Sequence, residues 1–302
     1  MPCSAAPSIR IGPAGWTYAD WNGIVYPAAR PRGFRPLAYM AQLFDVIEIN
    51  TSFYAPLQPP TVQRWLEQLE LYPTFCFTAK LWQRFTHEPQ FSPEDERTFR
   101  RGLQPLQRAQ RLGALLLQFP YSFHQTTDNR RRLQELLERF GDFPCVVEVR
   151  HASWNVPDIY AWLAERGAGF CNIDQPEVGR SLRPTARVTA PLGYIRLHGR
   201  RADSWFSTDP EQPRAERYNY LYSLEELQTW AERVRHVSQR ARTTFVITNN
   251  HFQGKSVVNA LQLAFLLTGE KRLVPEPLLE HYPQLRPLSR ESPRQPSLFA
   301  EG

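Results

Sequence analysis

The chain has 302 residues, of which 42% are hydrophobic, so it is long and apolar enough to bury one large core. Its net charge of +6 permits an anionic partner without requiring one. No apolar run approaches the roughly 20 residues that cross a bilayer. The sequence also shows no secretory signal and no C-x-x-C spacing, so we expect a cytoplasmic protein with reduced thiols and no membrane contact.

Eight short apolar runs alternate with segments of helical periodicity along most of the chain. The predicted strands are 10–15, 46–50, 75–80, 115–118, 145–149, 169–174, 194–198 and 244–249. The predicted helices are 35–44, 61–71, one starting at 92, 128–140, 157–166, 223–240 and 254–267, with an irregular crossover at 175–191. Eight such units in about 260 residues predict a single (β/α)8 TIM-type barrel of the α/β class. The alternative is an open doubly wound sheet, but no G-x-G-x-x-G follows any strand.

The run C-V-V-E-V-R-H-A-S-W at residues 145–154 indicates where the site of such a barrel lies. It begins with apolar, β-branched residues, as a buried parallel strand does, and ends abruptly in Glu148, Arg150 and His151. In TIM barrels the carboxyl ends of the strands form the mouth that holds the active site. We therefore expect the site at this mouth.

Polar side chains two residues apart recur at the predicted strand ends and must share a face of their strand. The pairs are Glu48 with Asn50, Thr78 with Lys80, Glu148 with Arg150, Asn172 with Asp174, and Arg196 with His198. The self-consistent assignment places them inside the barrel. Because an unpaired charge there costs several kcal/mol, we expect an ion-pair network that closes the barrel, a wet pocket, or both.

These side chains supply the candidate chemistry. The candidate catalytic residues are Glu48, Lys80, Glu148, Asp174 and His198. The three acids suit bases or metal ligands, His198 suits acid–base catalysis near neutral pH, and the cations suit phosphate binding. The other candidate binding residues are Trp16, Tyr18, Asn50, Tyr54, Gln118, Arg150, Trp154, Arg196, Asn249 and Asn250. A divalent metal is compatible with this set but not required, because no H-x-H or H-E-x-x-H pattern is present.

Gly254, Lys255 and Ser256 form a second candidate binding element after the last strand. Free N–H groups at a helix start after strand eight often bind phosphate in barrels. The segment lacks the first glycine of a P-loop, and an ordinary helix start is the structural alternative.

Five segments resemble the motifs of one known family. They are residues 12–18 (GPAGWTY), 44–50 (FDVIEIN), 148–154 (EVRHASW), 196–199 (RLHG) and 249–250 (NN). Together they are similar to the YecE-like proteins, a family defined by domain of unknown function 72. The resemblance covers about residues 10 to 268 and implies a TIM barrel, but no particular activity.

Proline-rich sequence follows the last predicted helix. We assign residues 1–9 to an N-terminal extension, 10–272 to the barrel, 273–288 to a packing segment and 289–302 to a disordered tail. Within this tail Gln295, Leu298 and Phe299 resemble the short Q-x-[SD]-L-F peptide by which bacterial replication proteins bind the sliding clamp. Docking of the tail on its own domain is the alternative.

Three hypotheses of function are consistent with these residues. The first is an enzyme that acts on a phosphate-bearing substrate, nucleic acid above all, with nuclease-like or repair-like chemistry. The second is an isomerase, aldolase or hydrolase of small sugars or sugar phosphates. The third is a non-catalytic nucleic-acid-binding module. Glu48 and Glu148 also suit a glycosidase, although many barrel glycosidases carry their acids on strands four and seven.

Overall fold

Eight parallel strands form the centre of the molecule, and this computed structural model describes residues 8–203, 205 and 214–290. The strands are β1 Ser8–Pro13, β2 Val46–Ile49, β3 Cys76–Lys80, β4 Leu112–Gln118, β5 Cys145–Glu148, β6 Gly169–Asp174, β7 Leu192–Leu197 and β8 Thr243–Thr248. The helices are α1 Pro36–Ala41, α2 Pro59–Gln68, α3 Gln83–Thr86, α4 Pro93–Arg108, α5 Thr127–Phe140, α6 Pro157–Glu165, α7 Leu224–Ser238, α8 Lys255–Thr268 and α9 Glu276–His281. In these ranges no helix is long and apolar enough to cross a membrane.

The strands pair in the order β1-β8-β7-β6-β5-β4-β3-β2, and every pairing is parallel. Pairing of β1 with β8 excludes an open doubly wound sheet. The ring closes between β1 and β2 at one bridge, from Ala14 to Glu48, where the Gly15 N–H donates to the Glu48 carbonyl at 2.8 Å. The predicted (β/α)8 barrel is confirmed.

Local sequence signals explain where the helices begin. Ser92 and Asp95 exchange side-chain-to-backbone hydrogen bonds at the start of α4, which satisfies two N–H groups that the helix leaves free. Ser223 and Glu226 do the same for α7. The crossover at residues 175–191 contains no helix, as its prolines predict. These caps fix the entry of each helix and hence the loops at the mouth.

The segment after α8 packs on the barrel. Leu278 and Leu285 are buried, and the Tyr282 hydroxyl donates to the Gln253 carbonyl at 2.7 Å. The segment therefore covers the loop between β8 and α8. The tail residues Gln295, Leu298 and Phe299 lie outside the described residues.

Replacing Gly12 with alanine should destabilise the barrel where it closes. The added Cβ atom would lie 1.8 Å from the Val46 carbonyl oxygen, so β1 and β2 must separate. We expect Gly12→Ala to lower the free energy of unfolding by about 3 kcal/mol, measured by urea denaturation. Gly33→Ala is the control, because nothing lies within 4 Å of its added Cβ and only its positive φ costs energy, about 1 kcal/mol. Equal losses in the two variants would contradict the steric argument.

Candidate active site

A cluster of charged side chains fills the barrel interior beneath the mouth. Arg196 of β7 donates from NH2 to Glu48 Oε1 at 2.7 Å and from NH1 to Glu148 Oε2 at 2.5 Å. All three residues are fully buried. On the other side Arg150 donates from Nε and NH2 to Glu148 Oε1, at 3.3 and 3.1 Å. We call Glu48, Glu148, Arg150, Arg196 and His198 the central charge network.

The charges of this network cancel. Two carboxylates face two guanidinium groups, so the network carries no net charge, and all of these groups except the partly exposed Arg150 are removed from water. Burial would raise the pKa of the Glu148 carboxyl, but the charge of Arg196, with His198 and Arg150, outweighs it and holds that pKa well below its ordinary value. Burial would likewise lower the pKa of Arg196, but Glu148 and Glu48 raise it well above the usual value. Both groups are ionised at neutral pH.

His198 is held in one tautomer between Asn249 and Glu148. The Asn249 amide nitrogen donates to His198 Nδ1 at 3.0 Å, which leaves the proton on Nε2, 3.2 Å from Glu148 Oε1. Burial lowers the pKa of His198 to about 3, even though Glu148 opposes this shift. His198 is therefore neutral at physiological pH, and its Nε2 faces the Glu148 carboxylate.

Two neighbours complete the network. The Tyr194 hydroxyl lies 2.9 Å from Glu48 Oε2 and 2.8 Å from Thr78 Oγ1. Gln118 accepts from Arg196 NH1 through Oε1 at 3.2 Å. Gln118 thus contacts the central arginine, and the alternation predicted for β2, β3, β5 and β7 is observed.

An aromatic cavity of about 290 Å³ opens at the carboxyl ends of β1, β2, β3 and β8. Its lining residues are Gly15, Trp16, Thr17, Tyr18, Asn50, Thr51, Tyr54, Trp65, Lys80, Tyr218, Asn249 and His251. Tyr18 and His251 stack at 4.2 Å, and Trp16 meets Trp65 edge to face at 5.0 Å. Tyr54 is 65% exposed at the rim. We call this cavity the aromatic pocket.

Asn249 and Lys80 connect the aromatic pocket with the central charge network. Asn249 lines the pocket and also orients His198. Lys80 lines the pocket and is 7% exposed, and its Nζ makes no hydrogen bond or ion pair within the described residues. Its Nζ instead lies 4.1 Å from the centre of the Phe53 ring. Burial lowers the pKa of Lys80 to about 7, with the charge of Arg196 as the next cause.

Arg150 adds positive potential beside Lys80, and the neighbouring His87 stays neutral. The guanidinium of Arg150 lies 5.2 Å from the centre of the Trp205 ring, and its NH1 atom has no acceptor among the described residues. Burial lowers the pKa of His87 to about 4, and the charges of Lys80 and Arg150 lower it further. Lys80 and Arg150 therefore act on the same region of the mouth.

On β6 the structure differs from the predicted alternation. The interior face carries Cys171, whose thiol lies 4.0 Å from Glu148 Oε2. Asp174 points the other way and accepts from Arg200 Nε at 2.9 Å. The side chain of Asn172 accepts a backbone N–H of the crossover at 2.6 Å. The polar residues of β6 thus hold loops, and the structure does not bring Asp174 to the network.

The predicted anion site at the start of α8 lies apart from the aromatic pocket. Gly254 and Ser256 are buried and do not line the aromatic pocket. The carboxylate of Asp20 accepts the N–H of Gln253, the residue before Gly254, at 2.6 Å. Lys255 follows directly but lies outside the aromatic pocket.

Trp154 and Asn250 also make structural contacts rather than lining the aromatic pocket. Trp154 is buried, stacks on Phe123 at 5.2 Å and donates from Nε1 to the Phe123 carbonyl at 2.6 Å. Asn250 is buried and donates to Asn259 Oδ1 at 2.7 Å. Both residues hold loops in place.

Four residues of the mouth are not among the predicted site residues. Trp65 lies on α2, yet its ring lines the aromatic pocket. Tyr218 and His251 line it as well, and Phe53 lies under Lys80. Phe53 and Tyr54 lie in the loop that follows β2. Their position after a strand end is the sequence signal that could have identified Phe53 as a residue of the mouth. Nothing in the helical periodicity of α2 indicates the position of the Trp65 ring.

Metal binding has no evident centre in the described part of the chain. No group of three or more histidine, cysteine, aspartate and glutamate side chains there could hold a metal ion. Glu48 and Glu148 instead bind guanidinium groups.

The fold and the site define a (β/α)8 barrel protein with a charged interior and an aromatic pocket at its mouth. The family described as "Protein of unknown function DUF72" matches residues 10–283, and the chain belongs to this family. This agrees with the resemblance of the sequence motifs.

Solved structures of the family share the fold. A DUF72 family protein of Thermotoga maritima is 32% identical, with a TM-score of 0.76 and coverage of 86% of this chain and 99% of that one. A DUF72 family protein of Enterococcus faecalis is 26% identical, with a TM-score of 0.74 and coverage of 86% and 95%. Comparison with curated proteins gave no significant match.

Removing Arg196 should leave two buried carboxylates without their shared partner. We expect Arg196→Met to lower the free energy of unfolding by about 3–5 kcal/mol at pH 8. Without the guanidinium, burial raises the pKa of Glu148, so protonation should relieve part of the loss as the pH falls to 5. The wild type should gain nothing from Glu148 over this range, because its depressed pKa keeps the carboxyl ionised in both the folded and the unfolded chain.

The control for this prediction is the triple variant Glu48→Gln/Glu148→Gln/Arg196→Met, which removes all three charges together. Chemical denaturation at both pH values should show that it recovers part of the stability. A triple variant less stable than Arg196→Met would contradict the charge-pairing argument.

Replacing Lys80 with methionine should stabilise the protein at low pH. The pKa of Lys80 falls from 10.5 to about 7 in the folded state, so the unfolded chain binds more protons between these values. The cost of burying the charged form is fully present below pH 7 and disappears towards pH 10. We expect Lys80→Met to raise the free energy of unfolding at pH 6 by about 2–3 kcal/mol. Lys271→Met, at an exposed site, is the control and should change little; equal effects would refute the argument.

Proposed function

We propose that this barrel protein is an enzyme that binds a phosphate-bearing substrate at its mouth, with nucleic acid as the substrate class. The observation that carries the proposal is the aromatic pocket beside two cations, Lys80 and Arg150, whose N–H groups have unused hydrogen-bonding capacity. A nucleotide unit combines a planar ring with a phosphate, which is the combination that these groups recognise.

The aromatic pocket supports ring binding. Its volume of about 290 Å³ suits one ring with its substituents. Tyr54 is exposed at the rim, and stacking of a base on such a ring contributes about 1–3 kcal/mol. The amides of Asn50 and Asn249 add polar atoms that can orient the ring or its sugar.

Phosphate binding falls to Lys80 and Arg150 rather than to the other candidate cations. Arg196 is buried and uses its guanidinium on two carboxylates, so its part is to hold the interior together. Lys255 lies outside the aromatic pocket. Burial lowers the pKa of Lys80 to about 7, which suits this residue to proton transfer, and Glu148 orients Arg150.

A small sugar phosphate is the second candidate substrate. The volume of the aromatic pocket favours it, because a free sugar phosphate fills a space for one ring as well as one unit of a polymer does. The sliding-clamp motif at Gln295, Leu298 and Phe299 stays a prediction, as does a purely binding role in nucleic-acid maintenance.

Single-stranded DNA should bind at the mouth with strong salt dependence. We expect Tyr54→Ala to weaken binding about tenfold, measured by fluorescence anisotropy, because one stacking face is lost. Lys80→Met and Arg150→Met should each lower the slope of log K against log salt by about 0.7. Leu71→Ala is the control, since Leu71 is exposed and precedes β3 at the opposite end of the barrel.

The same proteins are then tested for cleavage or base release on single-stranded, duplex and damaged DNA and RNA, with divalent metals and with chelator. Turnover should require Glu148, so Glu148→Gln should be inactive while still folded by circular dichroism. Absence of salt-dependent binding by folded wild-type protein would exclude nucleic acid and leave the sugar phosphate.

A further inference from the structure

Lys80 has the surroundings of a nucleophilic amine. Its side chain is nearly buried, yet it lines the aromatic pocket. Its Nζ makes no hydrogen bond or ion pair in the part of the chain that the structure describes, and the Phe53 ring lies 4.1 Å away. A lysine kept only for charge would be expected to pair with a carboxylate, but Glu48 and Glu148 bind arginines instead.

We propose that Lys80 condenses with the aldehyde carbon of an open-chain sugar phosphate and forms a Schiff base at the mouth of the barrel. This inference rests on the proposed function, because it takes the phosphate-bearing substrate as given and names the reacting group. A lysine in a desolvated site next to another cation is the arrangement that activates an amine for this reaction.

The protonation state of Lys80 supports this role. Only an uncharged amine attacks a carbonyl group, and an ordinary lysine is almost fully protonated at pH 7. Burial, with the charge of Arg196, lowers the pKa of Lys80 to about 7, so about half of the amine is uncharged at neutral pH. The charge of Arg196 in the barrel interior thereby helps to keep part of the Lys80 amine in the uncharged form that can attack a carbonyl group.

The reaction balances without any other reagent. The Nζ lone pair attacks the aldehyde carbon and gives a carbinolamine. The carbon–oxygen bond then breaks, and the oxygen leaves as water with the two protons that the uncharged amine carried. A carbon–nitrogen double bond remains. Protonation of its nitrogen makes the C–H bonds on the carbon next to the imine carbon more acidic, as lyase and aldolase chemistry requires.

The rest of the mouth suits the same substrate. Arg150 keeps its charge and its free NH1 atom for the phosphate while Lys80 reacts. Asn50 and Asn249 line the aromatic pocket and present amides to sugar hydroxyl groups. The substrate has two sources with the same chemistry: a free sugar phosphate, or a deoxyribose in DNA that has lost its base.

The chain offers few competing amines, which makes the test sharp. Its other lysines are Lys255, whose Nζ donates to Asn219 Oδ1, and Lys271, which is exposed. The full-length protein is incubated with sodium cyanoborohydride and either 2-deoxyribose 5-phosphate or an oligonucleotide with one abasic site. Reduction traps the imine as a stable adduct, which mass spectrometry of the protein and its peptides locates.

We expect one adduct per chain, on Lys80, with a trapping rate that rises through half its maximum near pH 7. Lys80→Met and Lys80→Arg should lower trapping at least tenfold, whereas Lys255→Arg and Lys271→Arg should leave it unchanged. Thermal unfolding of each variant confirms that it is folded.

No adduct on folded wild-type protein with either probe, or an adduct that persists in both Lys80 variants, would overturn the Schiff base. If the abasic oligonucleotide then still binds with salt dependence, the proposed function survives the failure of this inference. Trapping of the free sugar phosphate without trapping of DNA would support the Schiff base and overturn nucleic acid as its source.

Discussion

The structure depends on the neutralisation of charge inside the barrel. Arg196 comes from β7 and binds Glu48 of β2 and Glu148 of β5, so one guanidinium ties together three strands that lie far apart in the chain. A packed interior of apolar side chains would avoid the free energy that is needed to remove these ions from water. The barrel therefore carries a polar interior that packing alone does not require, and the aromatic pocket lies directly at its mouth.

That interior also governs the chemistry of the mouth. The charge of Arg196 helps to lower the pKa of Lys80, while Glu148 holds Arg150. His198, which looks like an acid–base residue in isolation, is kept neutral by its burial. Residues of similar type are thus placed differently: Arg196 uses its guanidinium on two buried carboxylates, whereas the NH1 atom of Arg150 has no acceptor among the described residues.

Much of this arrangement follows from the sequence because its signals are local. Apolar β-branched runs mark the strands, serine caps mark α4 and α7, and alternation places Glu148 and Arg196 on the interior face. The same reasoning places Asp174 on the wrong face of β6. The inward face carries Cys171, and a buried thiol cannot be distinguished in the sequence from any other apolar residue. The ring of Trp65 reaches the aromatic pocket through tertiary packing, which periodicity does not encode. The shifted pKa values do not follow from the sequence either, because they depend on neighbours that are distant in the chain.

Glu48 joins two features that are usually separate. Its carbonyl oxygen receives the Gly15 N–H where β1 meets β2, and its side chain binds Arg196 in the interior. Gly15 in turn lines the aromatic pocket. Glu48 therefore belongs both to the closure of the ring and to the charged interior, and its hydrogen-bond partner Gly15 belongs to the pocket wall. Exchange of the Gly15 amide hydrogen would therefore report on the ring closure, and a ligand bound in the pocket would slow that exchange.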